Sequence, residues 1–260
     1  MSKNITHTPL TRVVLEIPQG SIVTNDWLAI HGISSKLAWY YVKSKWLKKV
    51  GEKVYKRPND IIGWTGLVNT VQAQLGLPVH VSGKSALALN GHLQYLQMSD
   101  SALVDLTVET KIHIPKWVKD NNLSKDKLII NGNMVLNSKD YKDFLIHQEV
   151  NGFDVVISCN ELAIMEVLQL TPTQQDFTEA AQLMEGLAYM RASKVQLVLE
   201  KCNSIKAKRL YLYLGTKFNH DWIKKIDMSK IYLGSGKRML TKGGTYDSEF
   251  QITVPEIQEQ

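Results

Sequence analysis

The stretch TNDWLAIHGISSKLAWYYVKSKWLKKVGEKVYKR, from Thr24 to Arg57, decides how the chain is read. Thr24 is a good helix N-cap, and Asp26 places a carboxylate in the following first turn, where it suits the helix dipole. Trp27, Leu28 and Ile30 give this short helix an apolar side, and Gly32 ends it, as a residue at ease with positive φ does. Ser34 or Ser35 then caps a second helix running from about Ser35 to Trp46. Two short helices joined by a glycine-containing turn are the signature of a helix-turn-helix. After them, Lys48-Lys49-Val50 and Val54-Tyr55-Lys56 are expected to pair as strands around Gly51-Glu52-Lys53, in the place of a wing.

The second helix has two unlike faces. Ala38, Val42 and the edges of Leu37 and Tyr41 are spaced to pack inward, while Ser35, Lys36, Trp39, Tyr40 and Lys43 fall on the other side. Lys45, Lys48, Lys49 and Lys53 carry the cations on into the wing. A basic amphipathic helix alone is usually a solvated face. Here cap, turn glycine, basic stripe and hairpin coincide, and residues 1–57 hold ten Lys/Arg against three Asp/Glu. A clustered basic face on a known motif is the footprint of a protein that binds DNA.

At 260 residues the chain has room for about two domains. No apolar run approaches the roughly 20 residues of a membrane helix, and MSKNITHTPL lacks a signal-peptide core, so a cytoplasmic location is expected. Cys159 and Cys202 both lie in apolar surroundings and read as buried thiols. The net charge of +6 is unevenly spread: residues 58–200 hold ten Lys/Arg and sixteen Asp/Glu, whereas residues 201–242 hold eleven Lys/Arg and two Asp. An acidic middle between two basic blocks implies two surfaces for polyanions, or one continuous surface.

Taken in order, Thr8-Pro9 opens a first helix carrying Leu10, Val13, Val14 and Ile17. Arg57-Pro58-Asn59-Asp60 is a break, with Asp60 a cap for a linking helix striped by Trp64, Leu67, Val68, Val71 and Leu75. Ser82 caps a short helix that Asn90-Gly91 ends. Strands follow from Leu103 to Val108, around Asn131-Gly132 and around Asn151-Gly152, since Asn-Gly between apolar runs signals a hairpin. Pro115 and Trp117 receive no role. From Asn160 the pattern is helical, with caps at Thr173 or Asp176, at Ser193 and at Ser204. The last helix carries Lys206, Arg209, Tyr213 and Lys217 in one row opposite its apolar side. With Lys237 and Arg238 these form a second expected basic surface. The expected fold is α+β: a winged helix-turn-helix over residues 1–57, a linking helix over 58–78, and a larger mixed sheet-and-helix domain over 79–260.

Catalytic and metal patterns are missing. No His stands at metal-ligand spacing from another His or Cys, and no nucleophile signature is present, so neither a metal, a cofactor nor an enzyme is expected. Gly83-Lys84-Ser85 looks like the end of a phosphate-binding loop, but Pro78 stands where that pattern requires its first glycine.

With these residues laid out, the chain resembles the AbiEi family, the antitoxins of bacterial abortive-infection toxin–antitoxin pairs. The likeness lies in GISSKLAWYYVKSKWLKKVGEKVY, in VSGKSALALNG, and most closely in the long run KAKRLYLYLGTKFNHDWIKKIDMSKIYLGSGKRMLTKGGTYDSEFQITVP. It implies a winged domain that binds repeats in the promoter of its own operon and represses it, with DNA contacts at positions here held by Lys36, Lys43, Lys45, Lys48 and Lys49. It also implies a protein that counteracts a co-encoded nucleotidyltransferase-like toxin. The wing tip carries an acid, Glu52, where a more basic tip would suit phosphate better. The competing expectation is a protein-interaction module whose basic C-terminal face docks on an acidic partner.

Overall fold

The computed structural model describes residues 16–92, 101–108, 111–120, 122–132 and 134–256. Most of the helix expected from Thr8 lies outside them; its end, Ile17, is buried. The fold is α+β, a winged helix-turn-helix followed by a larger domain of a five-stranded mixed sheet, a small three-stranded sheet and several helices.

The winged part contains β1 (Val23–Thr24), α1 (Asn25–Ile30), α2 (Ser35–Lys43), β2 (Lys48–Gly51) and β3 (Val54–Lys56). Thr24 and Ser34 cap their helices as expected, accepting from the amides of Trp27 and Leu37. Gly32 holds φ +82° between them. The hairpin forms, and β1, which the sequence did not disclose, adds to it in the order β1-β3-β2. Val23, Leu28, Ile33, Ala38, Tyr41, Leu47 and Tyr55 close a small core beneath α2.

The linking helix, α3 (Trp64–Asn69), continues as a π-helical turn over Thr70–Gln74. It begins three residues later than expected, with Gly63 at its N-cap. Asp60 does not cap it: its carboxylate accepts from the amide of Gly20 and from Arg57, and Asp126 accepts the amide of Trp64 instead. Gln74 and Gln72 leave the helix on opposite sides, being two residues apart. Gln74 accepts from the Thr24 amide at 2.9 Å and donates to the Ile22 carbonyl at 2.9 Å. Gln72 accepts from the Val156 amide at 2.9 Å and donates to the carbonyls of Val156 and Val79 at 3.0 Å each. One helix is thus hydrogen-bonded to both parts of the chain.

The sheet of the larger domain comprises β4 (Val79–Val81), β5 (Leu103–Val108), β6 (Lys127–Asn131), β7 (Leu145–Val150) and β8 (Phe153–Ser158), in the order β6-β5-β4-β8-β7. The Asn151-Gly152 hairpin is present, with φ +52° and +78° as its tight turn requires. The Asn131-Gly132 hairpin is not. β6 pairs parallel to β5, and Val135 and Leu136 are buried outside any strand, with their amides on the Tyr141 hydroxyl. Trp117 gains a role. Helix α4 (Gly83–Leu89) is followed by the short helix α5 (Lys116–Lys119), which carries Trp117 and sets its ring against Gly51 of the wing. A Cβ on Gly51 would come within 2.8 Å of that ring. Ile22, Val54, Ile62 and Leu67 form an apolar cluster there, joined by Trp117, Leu123 and Leu128, so the packing crosses residue 57.

Helices α6 (Asn160–Leu170), α7 (Phe177–Glu185), α8 (Ala192–Lys201) and α9 (Ile205–Lys217) complete the domain. Asp176 and Ser204 cap α7 and α9 through side-chain bonds, while α8 starts before Ser193, with Arg191 at its N-cap. Every residue of α6 from Glu161 to Leu168 is buried, the pattern of a helix surrounded on all sides. Cys159 and Cys202 are free and buried, and burial pushes their thiols up to about 12 and about 11.

The expected second basic surface is largely not a surface. Arg209 is 2% exposed and donates to the carbonyls of Leu233, Gly234, Gly236 and Gln251. Lys206 donates to the carbonyls of Gln169 and Thr171, at the C-terminal end of α6, and its burial lowers its pKa. The segment after Ile231 folds back over α9, where it takes the bonds of Lys208 and Arg209. Tyr213 is half-buried; Lys217 and Lys237 are exposed and Arg238 is partly so. Arg238 begins β9 (Arg238–Met239), which with β10 (Thr245–Asp247) and β11 (Ile252–Val254) makes a third small sheet.

Gln72→Ala and Gln74→Ala should each cost about 1–2 kcal/mol, because the first removes the side-chain acceptor of the Val156 amide and the second that of the Thr24 amide. Arg209→Met should cost about 2–4 kcal/mol for the same reason at several carbonyls. Urea unfolding midpoints measure all three, and a change within error for Arg209→Met would show that water replaces the guanidinium there.

Candidate nucleic-acid interface

The face of α2 turned away from the winged core is built by the helix period. Ala38 and Tyr41 are buried at 0% and 5%, with Leu37 and Val42 beside them. This leaves Ser35, Lys36, Trp39, Tyr40 and Lys43 outside, the residues that the sequence placed there. Trp39 and Tyr40 are 57% and 59% exposed. Large rings at such exposure have solvent where a core residue would have neighbours. Lys43 lies with Nζ 4.0 Å from the Trp39 ring centroid, one helical turn away, which sets its ammonium over the ring. Ser35 accepts from the Asn25 side chain at 2.8 Å, so the first helix orients the start of the second.

Beyond α2 the chain turns sharply and supplies Lys45, Lys48, Lys49 and Lys53, all exposed. Lys45 and Lys53 hold φ +62° and +55°. The left-handed region costs a side chain with a Cβ roughly 1–2 kcal/mol, and glycine would take both positions without strain. None of Lys36, Lys43, Lys45, Lys48, Lys49 and Lys53 has a carboxylate within ion-pair distance among the described residues. Sequence reasoning passed over Trp46, 46% exposed and next to Lys45. The sequence placed it at the end of the second helix, which in the structure stops at Lys43.

The wing is anchored on one side. Gly51 meets Trp117, and Val50 packs on the cluster around Ile22. Its outward residues are Lys48, Lys49, Glu52 and Lys53.

The triplet Gly83-Lys84-Ser85 is consumed within the protein. It opens α4 (Gly83–Leu89), with Gly83 at φ +52°. The amide of Gly83 donates to the buried carboxylate of Glu166 at 3.0 Å, which also accepts from Ser158 at 2.8 Å and pairs with His80 at 2.7 Å. Lys84 pairs with Glu179 at 3.0 Å, and Ser85 is bonded to Asp105. A carboxylate therefore stands where a phosphate would sit. Among the described residues no three His, Cys, Asp or Glu are grouped to hold a metal ion, and no helix is long and apolar enough to cross a membrane.

Comparison with known proteins agrees with this arrangement. No curated protein matches the chain. In overall fold it is similar to the crystal structure of the RV2827C protein from Mycobacterium tuberculosis, with a TM-score of 0.60 at 11% identity, covering 94% of this chain and 88% of that one. Residues 6–98 match the model of the AbiEi antitoxin N-terminal domain, described as a transcriptional regulator. Residues 101–255 match that of the transcriptional regulator, AbiEi antitoxin, of type IV toxin–antitoxin systems. The two matches span nearly the whole chain, and the chain belongs to the AbiEi family of antitoxin transcriptional regulators.

Proposed function

We propose that the exposed face of α2, with the lysines that follow it, binds double-stranded DNA in the repeats of the protein's own promoter and represses the operon, and that the protein counteracts a co-encoded nucleotidyltransferase-like toxin. The observation that carries the DNA reading is the set of six exposed lysines without carboxylate partners, grouped around a helix that presents Trp39 and Tyr40. Phosphates would meet Lys43, Lys45, Lys48, Lys49 and Lys53, while Ser35, Lys36, Trp39 and Tyr40, on the first two turns of α2, would lie nearest the base edges. Family membership supports a DNA-binding antitoxin; the promoter repeats and the toxin's class rest on the resemblance. Acting on promoter DNA, the protein would work in the cytoplasm, and its role would be regulatory, not catalytic.

In this reading residues 1–57 carry DNA binding, 58–78 link, and 79–260 carry the antitoxin function. The competing reading, a basic C-terminal face that docks on an acidic partner, loses Arg209 and Lys206 to internal bonds and keeps Lys217, Lys237 and Arg238.

A gel shift of the purified protein on its own upstream DNA against a scrambled duplex tests the proposal. Specific binding should weaken with salt by about 0.9 log units per log unit of salt for each phosphate neutralised. Lys36→Ala with Lys43→Ala should weaken it while stability stays within about 0.5 kcal/mol, as exposed substitutions do. A flat salt response, or no preference for the upstream duplex, overturns the reading.

The strained lysines allow a sharper separation. Lys45→Gly and Lys53→Gly should each leave the protein as stable or more stable by about 0.5–1 kcal/mol, because strain is removed. Both should still lower DNA affinity and reduce the salt slope. Unchanged affinity would mean that these lysines serve the turns alone.

A further inference from the structure

The segment Leu233–Arg238, L-G-S-G-K-R, is wrapped around a buried cation. Three of its carbonyls, from Leu233, Gly234 and Gly236, point in to Arg209, at 2.9, 3.2 and 2.6 Å. The amides of Ser235, Gly236 and Lys237 meet no acceptor among the described residues. Gly234 and Gly236 hold φ +66° and +75° on either side of Ser235. Left-handed residues in a short turn are the backbone from which anion-binding amide nests are built.

Charge is unbalanced at the same place. Lys208, Arg209, Lys237 and Arg238 have no carboxylate within ion-pair distance among the described residues. Burial, and then the neighbouring Arg238, lower the pKa of Arg209. A buried cation normally has a partner of opposite sign, and here, among the described residues, it has carbonyl dipoles, with the Tyr246 phenol and a second guanidinium nearby. Among the described residues Arg238 makes only long bonds, through Nη1, at 3.4 and 3.3 Å to the carbonyls of Ser235 and Lys237, and its Nε and Nη2 meet no acceptor there. Lys237 is exposed, with its Nζ 4.8 Å from the Tyr246 ring centroid.

We propose that the Gly234–Arg238 turn binds a phosphoryl oxyanion, held by the amides of Ser235, Gly236 and Lys237 and by the side chains of Lys237 and Arg238, with Arg209 fixing the turn from inside. The contacts are those that recognise phosphate elsewhere: backbone N–H groups, a planar guanidinium and an ammonium point charge. The same contacts accept a phosphodiester of a nucleic-acid strand or the phosphate of a small molecule. The site does not depend on α2, so it stands whether or not α2 binds promoter DNA.

The test follows the amide resonances of residues 234–238 in the ¹⁵N-labelled full-length protein, at constant ionic strength against chloride. Three probes are titrated: inorganic phosphate, a nucleoside monophosphate and a short oligonucleotide of scrambled sequence. These amides are expected to shift saturably, and Lys237→Ala with Arg238→Ala should weaken the response about tenfold or more while Arg209 keeps the turn folded. A much tighter response to the oligonucleotide assigns the phosphate to a nucleic-acid strand; equal responses assign it to a free phosphoryl group. The proposal is overturned if these amides fail to move with every probe, or if the double variant responds as the parent does with an unchanged unfolding temperature. Amide shifts at this turn report on this site, and upstream-DNA binding in the gel shift reports on α2, so either can fail alone.

Discussion

Two glutamine side chains set the relation between the winged part and the larger domain. An amide group offers a donor and an acceptor side by side, as the backbone does, and can complete a strand edge. Gln74 does this for the segment Ile22–Thr24, whose other side pairs through β1 with β3. Gln72 bridges two neighbouring inner strands of the larger sheet, bonding Val156 in β8 and Val79 in β4. Thr70 adds a bond to the Ile22 carbonyl. The apolar cluster around Ile22, Val54, Ile62 and Leu67 then excludes water beside these bonds. Without them the amides of Thr24 and Val156 would need another acceptor, and the face of α2 would be held less firmly to the rest of the chain.

The larger domain relies on charged groups in places where charge is costly. Glu166 lies in the buried helix α6 and takes bonds from Gly83, Ser158 and His80. Glu161 on the same helix takes the amide and guanidinium of Arg191; burial pushes its carboxyl up, and these bonds outweigh it and hold it below the usual range. Arg209 and Lys206 are satisfied by carbonyls. Such groups add little net stability when complete, but removing one partner leaves the other stranded. Their effect is to fix geometry: Glu166 ties the start of α4 to α6, and Arg209 ties the C-terminal turn to α9.

What the sequence disclosed follows from the range of the forces involved. Caps at Thr24, Ser34, Asp176 and Ser204, the Gly32 turn and the Asn151-Gly152 hairpin depend on neighbours in the chain, and all are present. Where a distant residue competed, the local reading failed. Asp60 has a capping side chain, yet Gly20 and Arg57 take its carboxylate. Asn131-Gly132 follows an apolar run that pairs parallel to β5 and does not fold back on itself. The row Lys206, Arg209, Tyr213 reads as a solvated face because periodicity cannot show that residues 233–236 take the guanidinium of Arg209 or that the end of α6 takes the ammonium of Lys206. Trp117 carried no local signal, since its partner is a glycine 66 positions away in the numbering. At the candidate DNA interface, the helical period separated Ala38 and Tyr41 from Lys36, Trp39, Tyr40 and Lys43. The left-handed backbone of Lys45 and Lys53 was not legible.

The way the wing is held bears on how the winged part can meet a duplex. A wing free on both faces can adjust to a groove. Here Gly51 is pressed on Trp117, Val50 packs on the cluster shared with the larger domain, and a bulge between Lys49 and Gly51 breaks the pairing with β3. One side of the hairpin is committed to the protein. Its tip adds Glu52, whose charge opposes phosphate. The outward lysines, Lys48 and Lys49, precede the tip and lie next in the chain to the turn that follows α2. The wing so held is suited to bracing the backbone beside the helix, and base contacts would fall to α2. This follows from sterics and charge together: the anchored face cannot turn outward without exposing Trp117 and Val50, and at the tip that remains free Glu52 offsets the charge of Lys53, which leaves no net positive charge to lead.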